Sequence, residues 1–167
     1  MSKYIYRPLD KPDAEFRLLR IRKDPLTDQP QCSLQKYSLE TCPDYTALSY
    51  TWGDSTPTHN VAVDGADVQI RQNLSDFLHA YTTESWGMAD IERPVFYWID
   101  QICIDQEDPI ERSEQVRIMN KIYKQAKTVL IWLGCDPEMI EAARRRRDEE
   151  DDDAVTAMIL ATKFTGC

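Results

Sequence analysis

Carboxylates, aromatic rings and an arginine gather at two places along the chain, and together they could serve a glycosidic cleavage. Asp100, Asp105 and Glu114 lie in and just after an acidic loop that follows an apolar run at 95–99. A carboxylate there could stabilise an oxocarbenium-like centre at a ribosyl carbon, by analogy with glycoside hydrolysis and without a diagnostic motif. Tyr50 and Trp52 offer flat faces for a base, and Gly53 allows a phosphate close to the main chain. Asp54 adds a polar group at the same exit, and Arg112 can pair with the phosphate. No glycine-rich phosphate loop accompanies these residues.

Each of these groups also has a structural role open to it. Acidic residues near a helix start complement its dipole, and Asp108 or Ser113 can cap it. Trp52, Tyr97 and Trp98 suit a core, and an Arg112–Asp100 ion pair could hold loop to helix. Asp100, Asp105 and Asp108 lack the dense ligand alternation of a calcium loop, so no metal is expected. Cys103 could meet only His59 or His79 in a Cys–His pair, and packing is the simpler role for it.

The elements that must position these residues form a β-loop-α-β unit. Val95–Ile99 and Val129–Leu133 are short, wholly apolar runs, expected as central strands that pair in parallel. Between them, Val116, Met119, Ile122, Tyr123 and Ala126 recur at helical spacing, predicting the face that packs on the sheet. Ligands in open α/β sheets sit beyond the carboxyl ends of the strands, which places the pocket between the exits of strands 47–52 and 95–99.

Upstream, residues 1–13 are polar and read as an arm. Residues 15–22 and 32–39 predict a hairpin at an edge of the sheet or in a flanking layer, and 45–52 a first central strand. Val61, Val63, Val68 and Ile70 alternate around a turn at 64–67, giving a second hairpin. Asn73 is a candidate cap for a helix bearing Leu74, Phe77, Leu78 and Tyr81, with His79 facing solvent. The segment after that helix is expected to be a loop. Residues 135–167 read as a helix-like start, a charged linker of four arginines and six acids, and a small-residue tail that could begin a further helix.

Composition narrows the function. The 167 residues suit one domain, and a net charge of −9 argues against nucleic-acid binding. No stretch is apolar enough to span a membrane, and the N-terminus lacks a secretory core, so a cytoplasmic protein is expected. Five scattered cysteines without CxxC spacing give neither a disulfide framework nor a zinc site.

Five blocks then carry a resemblance: YTALSYTWGD at 45–54, VAVDG at 61–65, QNLSDFL at 72–78, YWIDQICIDQ at 97–106, and the helix and strand of 111–134. In this order they resemble the fungal heterokaryon-incompatibility (HET) domain over about residues 14–134. Asp105 departs from the asparagine usual in that family's ICINQ motif. The resemblance implies nonself recognition between fungal cells, with programmed cell death when incompatible partners fuse. It also implies distant similarity to TIR domains, some of which cleave NAD with a glutamate. The expected fold is therefore α/β, a TIR-like or flavodoxin-like open sheet with central parallel strands, flanking helices and added β-hairpins. Glu138 or Glu141 would match the TIR glutamate by order, and Glu114 lies in the best-matched helix start.

Two functions stay open. One is an interaction module that self-associates or binds protein partners in incompatibility signalling and needs no cofactor. The other is a hydrolase with NAD or a related nucleotide as substrate, its nicotinamide ring stacked on Tyr50 and Trp52.

Overall fold

Alternating apolar runs, joined in one hairpin by the loop 24–29 and in the other by a two-residue turn, build most of the sheet. The computed structural model describes residues 2–82, 95–134 and, as backbone, the strand 157–160. β1 (Glu15–Lys23) and β2 (Pro30–Ser38) form the first hairpin, and β3 (Thr46–Tyr50) follows. β4 (Thr58–Val63) and β5 (Ala66–Arg71) form the second, around Asp64 and Gly65, both at positive φ as a two-residue hairpin turn requires. Then come α1 (Gln72–Thr82), β6 (Tyr97–Trp98), α2 (Asp100–Cys103), α3 (Pro109–Gln125), β7 (Thr128–Trp132) and β8 (Ala157–Leu160).

All the strands share one mixed α/β sheet of eight strands, ordered β5-β4-β2-β1-β6-β3-β7-β8. β6, β3, β7 and β8 are mutually parallel, whereas β1 joins β6 antiparallel and β2 joins β4 in parallel. Taken in chain order, the parallel strands lie 2-1-3-4 across the sheet.

Several expectations are corrected here. β6 and β7 run parallel but do not pair, because β3 lies between them, so α3 crosses over a strand. The first hairpin is internal and not an edge: Phe16, Arg17, Leu18 and Leu19 are all buried, since an arginine can enter a covered strand once its charge is matched. Residues 157–160 are a strand on β7 and not a helix, pairing Val129 with Ala157 through Trp132 with Leu160. Only Tyr97 and Trp98 of the 95–99 run are strand; Ile99 precedes α2, and Val95 is half exposed.

The packed face of α3 is rotated from the expected one. Glu111, Gln115, Ile118 and Ile122 are buried, Met119, Tyr123 and Ala126 are half-buried against the core, and Val116 is exposed. Two polar residues at the buried positions hid the true stripe from a hydrophobic pattern. Asp108 caps the helix, its Oδ1 accepting from the backbone N–H of Ile110 and Glu111. The helix is tied down by Tyr45, whose hydroxyl donates to the Ile122 carbonyl at 2.5 Å, and by Tyr123, which donates to Leu48 O at 2.9 Å.

Trp98, Trp132, Tyr45, Tyr97, Phe16 and Phe77 make the bulk of the core. Phe77 of α1 packs edge-on against Trp132 and Tyr97, which fixes α1 over the sheet. The expected loop after α1, the helix-like start and charge run after Gly134, and Glu138 and Glu141 lie outside the described residues.

Candidate functional site

The parallel strands β6, β3 and β7 all end on the same side of the sheet, and the polar residues foreseen in the sequence divide there into two groups. β3 runs out through Tyr50 and Trp52, and β6 leads through Ile99 into Asp100, the first residue of α2. The two exits meet directly. Asp100 Oδ1 accepts from the Tyr50 hydroxyl at 3.0 Å and from the Gln101 N–H at 2.8 Å, and Oδ2 accepts from Trp52 Nε1 at 2.7 Å. Burial raises the Asp100 carboxyl above its ordinary range, against the pull of these donors, and burial beside that carboxylate raises the Tyr50 hydroxyl as well.

Gly53 turns the chain away at φ +71. Its carbonyl accepts from Arg71 Nη1 at 2.8 Å, and the Arg71 guanidinium lies over the Trp52 ring, 4.8 Å from its centroid. Arg71, at the end of β5, gave no sequence signal, because its role depends on a strand distant in the sheet. The Trp52 face read as a platform for a base therefore carries a guanidinium. Asp54 is exposed beyond this turn.

Asn73 is a second residue whose role differs from its expected one. Rather than capping α1, its side chain joins two strand exits: Nδ2 donates to Thr51 O at 2.6 Å, and Oδ1 accepts from Trp132 Nε1 at 2.8 Å. Gly134, at φ +82, leaves room for it; a Cβ there would stand 3.2 Å from Asn73 Oδ1.

The other foreseen residues are placed apart. Asp105 accepts from the Glu107 N–H at 3.0 Å, which closes the turn after α2. Arg112 is exposed and donates to Gln106 O at 3.3 Å, so it is not the partner of Asp100. Glu114 pairs with Arg117 on the surface of α3. Cys103 is fully buried with its thiol pushed up to about 12 by burial, which suits packing and not nucleophilic attack. Among the described residues, no group of three His, Cys, Asp or Glu could hold a metal ion, and no helix is long and apolar enough to cross a membrane.

Among the described residues, a buried ion pair joins β1 to α3 in a way the sequence analysis did not foresee. Arg17 of β1 grips Glu111 of α3 with both arms, at 2.5 and 2.8 Å, and donates also to Cys103 O at 3.1 Å and Arg7 O at 2.7 Å. Its signal was an arginine flanked by apolar residues on both faces of a strand. Beside this pair, segment 2–6 lies along β5 and α2, enclosing a cleft of about 590 Å³ lined by Tyr4, Tyr6, Val68, Gln69, Gln101 and Asp105 among others.

Comparison with known proteins accords with this architecture. No solved structure matches the chain. It is 40% identical over 134 residues to "Heterokaryon incompatibility protein 6, OR allele" of Neurospora crassa, an alignment that covers 75% of this chain and 20% of that protein. The chain thus spans about a fifth of the length of that relative. Residues 45–163 match the family described as Heterokaryon incompatibility protein (HET), from the start of β3 to just past β8, and the chain belongs to that family.

Proposed function

We propose that this chain acts in fungal heterokaryon incompatibility as a cytoplasmic interaction module, one that self-associates or engages protein partners in a signal leading to programmed cell death. Family membership and the name of the Neurospora relative support the setting. The observation that carries the module reading is that each of the candidate carboxylates is engaged within the fold. Asp100 is occupied by Tyr50, Trp52 and the main chain, Asp105 closes a turn, and Glu114 pairs with Arg117 on the surface. Each is thus engaged by a group of the fold, which supports a structural role for it over that of a free acid or base.

A second reading, a TIR-like hydrolase of NAD or a related nucleotide, draws support from the 2-1-3-4 order of the parallel strands, which is that of flavodoxin-like sheets. Light scattering across a concentration series, paired with chromatography of NAD incubated with the assembled protein, separates the two. The module reading expects mass to rise with concentration and no nicotinamide to appear. Nicotinamide released with time, and lost in Glu114→Gln or Asp100→Asn, would replace it with the hydrolase reading.

A further inference from the structure

The cleft beneath segment 2–6 contains hydrogen-bonding groups that the fold leaves unanswered. Gln101 is 5% exposed, and its Oε1 accepts from the Arg71 N–H at 3.0 Å, which fixes the orientation of the amide. Its Nε2 has no partner. A buried amide donor without an acceptor costs about 1–3 kcal/mol, so a group that supplies one is favoured there.

The β4–β5 register identifies a second set of groups. Val63 faces Ala66 across the two-residue turn, so the pairs facing Asp67, Gln69 and Arg71 are those whose N–H and C=O point away from β4. Two of these three are answered. Asp67 exchanges backbone bonds with Ser2 and Tyr4, each at 2.8 Å, and the Arg71 N–H goes to Gln101. Between them, Gln69, whose N–H and C=O also point away from β4, lines the same cleft as Gln101. This opening is one residue wide on the strand edge, too short to add a peptide strand.

A donor and an acceptor on the main chain, with a buried amide donor nearby, fit the edge of a flat molecule bearing adjacent acceptor and donor atoms. The rings of Tyr4 and Tyr6, set edge to face with centroids 4.9 Å apart, supply apolar surface for it. Charge restricts it further. Asp67, Asp105 and Glu107 line the cleft against a single cation, Lys3, whose Nζ is held by Glu107 at 2.5 Å. A phosphate would meet a net negative wall.

We propose that this cleft binds a neutral planar heterocycle of the nucleobase class, as the free base or the nucleoside without its phosphate. The inference is independent of whether the chain is a module or a hydrolase. The test is calorimetric titration of the full chain with adenosine, guanosine, cytidine and uridine at up to millimolar concentration, and with the 5′-monophosphate of whichever binds. At least one nucleoside should bind, and its monophosphate should bind at least about tenfold more weakly.

Gln101→Glu keeps an acceptor for Arg71 and removes the free donor, and should weaken binding about tenfold, the scale of one lost hydrogen bond. Should that variant not fold, Gln69→Pro removes the outward N–H at the strand edge, where proline is tolerated, and should weaken binding about tenfold relative to Gln69→Ala, which removes the side chain alone, with the melting temperature nearly kept. Binding by none of the four nucleosides, a monophosphate that binds as well as its nucleoside, or affinity undiminished in folded Gln101→Glu, or in folded Gln69→Pro relative to Gln69→Ala, would overturn the proposal.

Discussion

Two carboxylates stand near α2, Asp100 half-buried as its first residue and Glu111 buried in α3, and the fold treats them in opposite ways. Glu111 faces a guanidinium and receives two charge-assisted bonds from Arg17. Asp100 receives three bonds, all from neutral donors. A carboxylate matched by a permanent cation acts as a fixed brace. One held by a phenol, an indole and a peptide N–H is desolvated without a countercharge, and its carboxyl rises. Tertiary structure in this region therefore rests on the first, and sensitivity to pH on the second.

Breaking the brace should have the largest effect. Arg17→Met leaves Glu111 buried without its partner and should destabilise the protein by about 3–5 kcal/mol in urea unfolding. Adding Glu111→Met should recover much of that loss, because the penalty lies in the stranded charge and not in the missing pair. A double variant no more stable than the single would show that the contacts of Arg17 to Arg7 O and Cys103 O matter more than its charge.

The second region should respond more mildly and with a pH signature. Asp100→Asn keeps an acceptor for Tyr50 and strands the Trp52 indole N–H, at a cost of about 1–3 kcal/mol. Because the folded carboxyl is raised above its ordinary value of 3.8, its contribution to stability is fully present below that value and is lost as pH rises through the folded pKa. The stability of the wild type relative to Asp100→Asn should therefore fall as pH rises over that window, which denaturation at a series of pH values will read. A constant difference would mean that Asp100 titrates as it does in the unfolded chain.

Glu114→Gln should change least. Its pair with Arg117 lies on the helix surface, where such contacts contribute about 0–1 kcal/mol, so thermal unfolding should hardly move.

How much of this contrast the sequence discloses follows from what fixes each part. Both hairpins, β3, β7 and the cap at Asp108 are local, and alternation, turn residues and spacing predict them directly. The neighbours of a parallel strand are not local: nothing between residues 95 and 133 says that β3 will lie between β6 and β7. The same limit hid the charged brace. Glu111 and Gln115 look like solvent-facing positions of α3 until Arg17 and the carbonyls of Pro12 and Glu15 arrive to meet them. Of the site, Tyr50, Trp52 and Asp100 were legible because they sit at strand exits. Arg71, Asn73 and Gln101 were not, since each acts on a segment brought close only by the finished sheet.

Arg17 also bears on time as well as energy. Its bonds to Cys103 and Glu111 span 86 and 94 residues of sequence, so they form only once distant parts of the chain have closed into place. If they form on the native side of the folding barrier, Arg17→Met should speed unfolding more than it slows folding, which stopped-flow kinetics will read. One guanidinium thus ties three separate stretches of chain, at Arg7, Cys103 and Glu111, into a single unit.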